Sequence, residues 1–409
     1  ITFAVSVILV IQNDSAVREH VSRSALAPHQ LKCESSTSSK KSHLKPALAI
    51  ESKKNVKPPF PINMTGYSGP ARAYPSFTDP FPCTPTTAGP KGQNFLMRTD
   101  PASTGFLFQR PLKTGSTTLA GTVMRIAHRK AKVLLQNVTA PKNTTKEYCM
   151  HRSNHGTGVS YKYAERDRAK SFLFSIIRNP TKRSISQFFH FEVSVGQKEP
   201  TDKEFQNSML GGMYRNYYIK DLSLKQARST AGGDYTQEVK DIIDGYDFIG
   251  ITERYDESLV VLKMLVGLDF EDILYVKERS EGMFSNGSGD RPCIYLVPSF
   301  ITHGMKEFFD GTAWKNHVNG DIQLYQAAYR SLDLTIERLG KAEVQRQLEY
   351  FQKVNKWAQE QCDGFARSMC TESGEVVPHK ERTCMIWGEG CSHACLDGLV
   401  IPRKDGDPI

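Results

Sequence analysis

The chain has 409 residues, of which 39% are hydrophobic and 24% charged, and its formal net charge is +9. This length suffices for one large α/β domain or two smaller ones, and the composition excludes collagen, a coiled coil and wholesale disorder. The basic excess fits a protein that binds a polyanion, such as a nucleotide, a sulfated glycan, nucleic acid or an anionic membrane face. A basic surface without a single partner fits equally well.

The N-terminal segment is typical of a membrane-anchored secretory protein. Residues 1–11 form an apolar run interrupted only by one Thr and one Ser, which is too short to span a bilayer, since that takes about 20 residues. The sequence begins without Met, so we interpret the run as the end of a truncated signal anchor; a cleavable signal peptide and a buried strand are the alternatives. Residues 12–57 carry nine Lys and Arg against four Asp and Glu, and this polar, Ser-rich composition predicts a flexible stem.

Sequons and cysteines also indicate the secretory lumen. Five N-x-[ST] sequons are present, at Asn13, Asn63, Asn137, Asn143 and Asn286. Five of the nine cysteines lie within residues 362–409, which predicts a tail stapled by disulfides. The alternative is a zinc site with ligands from Cys384, Cys391 and Cys395 and from His379 or His393. Zinc sites usually contain C-x2-C pairs, and the chain has none.

Residues 58–361 alternate between strand and helix patterns. The first stretch, 58–100, is rich in Pro, Gly and Thr and predicts a lead-in that wraps the domain. Short apolar runs predict buried strands at Gly105–Gln109, Ser171–Ile177, Phe248–Ile251 and Ile273–Val276. Amphipathic patterns predict helices at 116–132, from Pro180 onwards, and at 256–266, 321–338 and 341–361. This alternation implies an α/β fold with a parallel sheet flanked by helices.

A candidate phosphate-binding turn follows the first predicted strand. Its residues are Lys113, Thr114, Gly115, Ser116, Thr117 and Thr118. Gly115 lets the backbone approach an anion, the N–H groups at the helix start can hold a phosphate, and the hydroxyls and Lys113 add donors. The turn is not a Walker P-loop, because Lys precedes the glycine and no G-K-[ST] occurs. A helix cap with a surface Lys is the alternative.

A second set of anion-binding residues follows the second predicted strand. Arg178 stands at the end of that strand, and Ser186 lies eight residues later, two turns into the next helix. Arg offers a planar fork to phosphate oxygens and Ser one hydroxyl, while Lys182 and Arg183 add charge. One turn would take the 5′ phosphosulfate and the other the 3′ phosphate of a single nucleotide.

Together the two motifs, K-T-G-S-T-T and R-N-P-x-x-R-x-x-S, resemble the 5′ and 3′ phosphate-binding elements of Golgi carbohydrate sulfotransferases. The closest resemblance is to the galactose-3-O-sulfotransferases, which include the galactosylceramide enzyme, and a third block at 248–263 and 272–277 is similar to that group. The heparan sulfate 2-O-sulfotransferases are similar but more distant. The resemblance covers roughly residues 103–340 and is specific for the nucleotide rather than for the acceptor.

The resemblance implies a P-loop-like sulfotransferase fold in residues 58–361, with the Cys-rich tail 362–409 as an extension. It further implies 3′-phosphoadenosine-5′-phosphosulfate (PAPS) as the co-substrate, no metal, and a glycan or glycolipid acceptor. We expect a single-pass type II Golgi membrane protein, with the catalytic domain in the lumen and no nucleic-acid partner.

The expected reaction assigns roles to a cation and a base. Lys113 is expected to stabilise the charge that develops on the leaving oxygen. His155 is the first candidate for the general base and His151 the second, and a surface His155 without a role is the alternative. Two departures from the family pattern concern these roles. Leu112 stands where the galactose enzymes usually carry His, and the base position of the 2-O enzymes falls on Gly158.

Several alternatives stay open at the level of sequence. The acceptor is expected to be the 3-OH of galactose in a glycolipid or glycoprotein, and a uronic acid of a glycosaminoglycan is the alternative. A catalytically inactive glycan-binding module and a basic heparin- or nucleic-acid-binding protein are the rival classes. The aromatic side chains that could stack on sugar or adenine, although most are expected in the core, are Phe188, Phe189, Tyr214, Tyr217 and Tyr218.

Overall fold

The computed structural model describes most of the chain beyond residue 61. The described ranges are 62–78, 80–87, 104–134, 147–153, 155–226, 233–277, 283–285, 293–362, 370–371, 373–378 and 390–402. They lie in one compact unit, Val56–Ile409. The predictions for the apolar segment 1–11, the stem 12–57 and the sequons other than Asn63 fall outside these ranges. Among the described helices, none combines the length and the apolar character needed to cross a bilayer.

A four-stranded parallel sheet forms the centre of the fold. Numbered in chain order, the strands are β1 Pro85–Thr87, β2 Gly105–Gln109, β3 Glu147–Cys149, β4 His151–Arg152, β5 Ser171–Ile177, β6 Phe248–Ile251, β7 Met283–Ser285 and β8 Cys293–Tyr295. The central sheet has the order β4-β2-β5-β6, and β1–β3 and β7–β8 form two small antiparallel pairs. Every residue of β2, β5 and β6 is buried, as expected for strands covered on both faces.

Helices connect the strands and flank the sheet. In chain order they are α1 Ser116–Leu134, α2 Pro180–Gln187, α3 Asp202–Met209, α4 Tyr217–Leu222, α5 Thr236–Gly245, α6 Tyr255–Val266, α7 Phe270–Ile273, α8 His303–Asp310, α9 Thr312–His317, α10 Asn319–Leu339, α11 Lys341–Cys362 and α12 His393–Gly398. A π-helix, Phe188–Val195, continues α2 directly. The predicted α/β architecture, with three of its four strands and all five of its helices, is therefore confirmed.

The predicted fourth strand, Ile273–Val276, is wrong. Asp269 and Asp272 form a capping box that starts the short helix α7 instead. Two residues after α7, the amide of Tyr275 donates to the side chain of Asn355 on α11 at 2.9 Å rather than to a neighbouring strand. A short apolar run does not by itself distinguish a strand from a buried turn, and the sheet takes its fourth strand from β4.

Two clusters of apolar side chains form the core. The larger one packs around the central sheet and includes Phe106, Phe174, Val260 and Leu332. The smaller one joins the π-helix to α3, α8 and α9, with Trp314 enclosed among phenylalanines. The indole Nε1 of Trp314 donates to the hydroxyl of Thr181, in the first turn of α2, at 3.0 Å. The smaller cluster therefore packs against α2.

Disulfides join the tail to the rest of the fold, which confirms the predicted cross-linking. Three bonds are Cys83–Cys149, Cys293–Cys370 and Cys362–Cys395. Cys391 is also disulfide-bonded. Because Cys391 and Cys395 are oxidised, the zinc alternative built on these thiolates is wrong.

Candidate active site

The carboxyl ends of the four central strands bring the predicted motifs together. Each of these strands is followed by a loop. Three of the loops lead into a helix, at 110–118 after β2, 178–186 after β5 and 252–255 after β6, and the segment after β4 consists of residue 153 and residues 155–158. We call these four segments the carboxyl edge. In open parallel sheets, ligands bind in the crevice at this side of the strands, so the carboxyl edge is where the chemistry of the fold is expected.

The first turn has an unusual backbone. Lys113 has φ 64° and Gly115 has φ 73°, and the left-handed conformation costs a lysine about 1–2 kcal/mol. A strained non-glycine residue is often retained at a functional site. The hydroxyls of Thr114 and Ser116 both donate to the carbonyl of Pro111, at 3.1 and 2.8 Å. They therefore shape the turn from inside, while the half-buried side chains of residues 117 and 118 lie nearer the surface.

The N-terminal end of α1 begins at this turn. Helix α1 starts at Ser116, and the first N–H groups of a helix lack intrahelical acceptors, so they can bind an anion. A buried cation lies beside them. The guanidinium of Arg110 donates from Nη2 to the hydroxyl of Thr117 at 3.2 Å and from Nη1 to the carbonyl of Ser153 at 3.4 Å.

The second motif is held by the cap of α2. The side chain of Asn179 accepts hydrogen bonds from the amides of Thr181 and Lys182, at 3.1 and 3.2 Å, with Pro180 in the first helical position. Lys182 and Ser186 are one turn apart and both half-buried, so they share one face of the helix. Sequence reasoning placed Ser186 on this ligand-facing side, and its exposure is compatible with that position.

The three main loops of the carboxyl edge contact one another. Nη1 of Arg178 lies 3.5 Å from the carbonyl oxygen of Lys113, which connects the second motif to the first. The hydroxyl of Thr252 donates to the carbonyl of Thr114 at 2.8 Å, which connects the first turn to the loop after β6. The carboxylate of Glu253 accepts from the amide of Asn179 at 3.1 Å. The two predicted phosphate motifs are therefore in direct contact with each other.

Arg183 lies elsewhere than expected. Its side chain is fully buried, and its guanidinium lies over the ring of Tyr217, 4.0 Å from the centroid. It donates to Ser184 and Gln187. The guanidinium is thus used in the packing between α2 and α4, and of the two extra cations predicted here only Lys182 lies on the half-buried face. Nζ of Lys182 is 3.9 Å from Glu253.

His155 lies next to the first turn. Its Nδ1 is 3.0 Å from the carbonyl oxygen of Arg110, so Nδ1 carries the proton and the lone pair of the neutral ring lies on Nε2. The loop is fixed from the other side, because the phenol of Tyr161 donates to the carbonyl of His155. Among the candidate bases, His155 is therefore the one that the structure places at the carboxyl edge.

The two other base positions are excluded by packing. His151 lies inside strand β4 and is 2% exposed, and burial lowers its pKa to about 4. A side chain at Gly158 has no room, because a Cβ there would lie 2.7 Å from the carbonyl oxygen of Ser223. A histidine in the position used by the 2-O enzymes therefore does not fit this chain.

Several residues at the site were missed by sequence reasoning. Arg110, Thr252 and Glu253 contact the two motifs, and each lies within two residues of the end of a central strand. The rule that polar residues at strand ends meet at one edge could have found them. Most of the predicted aromatic candidates are in the core, as expected: Phe188, Phe189 and Tyr214 belong to the smaller cluster and Tyr218 to the larger one, while Tyr217 is half-buried against the latter. In the described ranges, no group of three His, Cys, Asp or Glu side chains is arranged to hold a metal ion.

Two curated proteins are distantly similar to the chain. It is 22% identical over 224 residues to the galactosylceramide sulfotransferase of Mus musculus and 21% identical over 221 residues to that of Homo sapiens, and each alignment covers 51% of the chain. The chain spans about half the length of these relatives, 47% and 46%. No protein-family profile matches. The weak homology and the parallel sheet together support a carbohydrate sulfotransferase family, and the likeness to heparan sulfate 2-O-sulfotransferases stays a prediction.

Proposed function

We propose that the chain is a PAPS-dependent sulfotransferase that transfers a sulfuryl group to a glycan hydroxyl. The observation that supports this most strongly is the contact between the two phosphate motifs, through Arg178 and the carbonyl of Lys113. The motifs are 65 residues apart in sequence, yet they lie side by side at the ends of adjacent strands β2 and β5. One nucleotide with phosphates at both ends of its ribose would need such a pair of turns.

We assign the 5′ phosphosulfate to the first turn. The amides at the start of α1 bind the anionic oxygens, with the hydroxyls of Thr117 and Thr118 as further donors. Thr114, Gly115 and Ser116 form the turn that presents these groups. The 3′ phosphate is assigned to Arg178 and Ser186, because Arg forms charge-assisted hydrogen bonds to phosphate oxygens and Ser adds one donor.

The transfer step uses the residues around the first turn. The acceptor hydroxyl oxygen forms a bond to sulfur while the bond between sulfur and the 5′-phosphate oxygen breaks, and adenosine 3′,5′-bisphosphate leaves with the electron pair. Lys113 stabilises the charge that grows on that oxygen, by analogy with phosphoryl transfer. Nε2 of His155 takes the hydroxyl proton. Lysine and arginine side chains neutralise the charge, so the proposed step does not require a metal.

The acceptor we favour is the 3-OH of galactose in a glycolipid or glycoprotein. The printed names of the two relatives, galactosylceramide sulfotransferases, support a glycolipid. The absence of space at Gly158 argues against the 2-O enzymes' arrangement and therefore against a uronic acid. A luminal Golgi location, with residues 1–11 as the end of a type II anchor, belongs to the same proposal and is supported by the disulfides, since these persist in oxidising compartments.

Transfer of labelled sulfate tests the proposal. The chain is incubated with sulfur-labelled PAPS and a panel of galactosides, galactosylceramide and desulfated heparan. Label should enter a galactose-containing acceptor and should be lost in Lys113→Ala, by about 10²-fold or more. Lys113→Gly is the matched control, because glycine adopts the positive φ without strain. It should lose as much transfer as Lys113→Ala if the missing cation, rather than a distorted turn, is the cause. Tight bisphosphate binding without transfer to any acceptor would contradict the enzyme and favour an inactive glycan-binding module.

A further inference from the structure

Helix α4 lies behind both phosphate turns and contacts each of them with one tyrosine. The phenolic oxygen of Tyr217 accepts a hydrogen bond from the backbone N–H of Leu112 at 2.9 Å. The phenol of Tyr218 accepts from the N–H of Arg178 at 2.9 Å and donates to the carbonyl of the same residue at 2.8 Å. Leu112 immediately precedes Lys113, so both phenols bind backbone at the entrance of a predicted phosphate turn.

These contacts satisfy backbone groups that the sheet leaves open. Residues 110–112 and 178 lie beyond the ends of β2 and β5, outside the residue pairs that join these strands in the sheet. Amides that are shielded from water almost always have a hydrogen-bond partner, and at half-buried Leu112 and Arg178 a tyrosine phenol supplies it. Burial raises the pKa of Tyr218 well above its usual value, so its phenol keeps the proton that it donates.

Helix α4 is itself fixed from the opposite side. The buried carboxylate of Asp321, on α10, accepts from the amides of Tyr218 and Ile219 at 2.9 and 3.1 Å. One turn later on α10, the phenol of Tyr325 donates to Glu253 at 3.2 Å, and Glu253 accepts the amide of Asn179. The guanidinium of Arg183 lies over the rings of both tyrosines. The position of α4 is thus determined by groups on two other helices.

We propose that Tyr217 and Tyr218 are positioning residues that set the spacing between the 5′ and 3′ phosphate turns. The inference rests on the proposed function, because it assumes that the turns hold the two ends of one nucleotide. Neither phenol touches the nucleotide in this proposal. Each fixes the backbone of a turn, so loss of one hydroxyl should weaken binding only through the phosphate that this turn holds.

The test measures how tightly two nucleotides bind to variants of the full chain that each lack one phenolic hydroxyl. Isothermal titration gives the Kd of adenosine 3′,5′-bisphosphate and of adenosine 5′-monophosphate, which lacks the 3′ phosphate. Tyr218→Phe removes both hydrogen bonds to the backbone of Arg178. The bisphosphate Kd should therefore rise about ten- to thirtyfold, since one buried hydrogen bond is worth about fivefold in affinity, with the monophosphate Kd unchanged. Tyr217→Phe should raise both values by similar factors, because both nucleotides carry the 5′ phosphate.

Tyr246→Phe is the matched control. The phenol of Tyr246 is equally buried and donates to the carbonyl of Leu222, at the other end of the same helix, at 3.0 Å. This variant loses a comparable hydrogen bond but no contact to a turn, so both Kd values should stay within twofold of wild type. The melting temperatures of the three variants should fall by similar amounts. A change in Kd that only Tyr217→Phe and Tyr218→Phe show would then reflect positioning of the turns rather than a general loss of stability.

The outcomes separate the two proposals. If wild type binds the bisphosphate and Tyr218→Phe binds it equally well, or if Tyr218→Phe loses affinity for both nucleotides to the same extent, the positioning role is overturned while the nucleotide site stands. If wild type binds neither nucleotide, the proposed function fails and the positioning role fails with it. Changed Kd values in the pattern given above, with Tyr246→Phe unaffected, support the positioning role.

Discussion

Two side chains on the carboxyl edge carry most of the proposed chemistry. Lys113 has φ 64°, so the cation is placed by a backbone conformation that most residues avoid. His155 is held from both sides of its loop, by the carbonyl of Arg110 and by Tyr161. A fixed ring with its lone pair on Nε2 suits a general base, because base catalysis requires the ring to stay within hydrogen-bond reach of the proton.

Replacing His155 tests the base. His155→Asn keeps a side-chain donor for the carbonyl of Arg110 but has no basic nitrogen. We expect kcat/KM to fall about 10²–10⁴-fold, the acid limb of the pH–rate profile to disappear, and the bisphosphate Kd to stay unchanged. Steady-state rates from pH 5 to 9 with labelled PAPS provide the measurement. A variant that keeps wild-type kcat/KM and the same profile would assign His155 to a surface role.

At the scale of elements, the sheet and most helices were predictable from local pattern. The strand Ser171–Ile177 is an apolar run that only Ser175 interrupts after its first residue, and Asn179-Pro180 directly signals the next helix. The wrong strand at Ile273–Val276 shows the limit, because its amide partner Asn355 lies 80 residues away. Local pattern contains no information about such a partner.

The contacts of α4 were unpredictable for the same reason. Its tyrosines meet Leu112 and Arg178 across 105 and 40 residues, and Asp321 meets it across 103. The sequence presents Tyr217 and Tyr218 only as aromatic residues, which are more often part of a core than of a site. Their role follows from where the phenols point, and that depends on the tertiary fold.

The carboxyl of Asp321 predicts a pH dependence of stability. Burial raises its pKa from 3.8 to about 7, against the lowering effect of Arg183. The folded chain therefore binds this proton more tightly than the unfolded chain. The stability contributed by this group is fully present below about pH 4 and is lost as the pH rises to about 7.

The variant Asp321→Asn should not lose stability in this way as the pH rises. Asn keeps an oxygen that accepts the amides of α4 but cannot ionise. Its free energy of unfolding relative to wild type should therefore rise by roughly 1–4 kcal/mol between pH 4 and pH 8. Urea denaturation at a series of pH values measures the difference. A difference that stays flat over this range would mean that the carboxyl titrates alike in the folded and unfolded chains.

At the scale of the whole molecule, the C-terminal tail is packed against α1, the helix that starts at the proposed phosphate turn. The buried guanidinium of Arg125, on α1, forms an ion pair with Asp397 at 2.7 Å and donates to the carbonyl of Leu396 at 3.3 Å. The disulfide Cys362–Cys395 joins α12 to the end of α11. The tail therefore contributes to the packing of α1.

Removing this disulfide should destabilise the fold. Its cysteines are 33 residues apart, and the chain-entropy estimate for a loop of that length is about 3–4 kcal/mol. We expect Cys362→Ser/Cys395→Ser to lower the free energy of unfolding by that amount, with bisphosphate binding retained at low temperature. Guanidinium denaturation under non-reducing conditions measures it. An unchanged midpoint would indicate that the packing of α12, rather than the cross-link, holds the tail.

The central claim is that the two turns at the carboxyl edge bind one nucleotide through both of its phosphates. Isothermal titration of the full chain with adenosine 3′,5′-bisphosphate, beside Arg178→Ala, tests it most directly. The account predicts one saturable site per chain and a Kd that rises about tenfold or more in Arg178→Ala, because a charge-assisted hydrogen bond to phosphate is lost. Absence of saturable binding by wild type, or equal affinity in the variant, would contradict it.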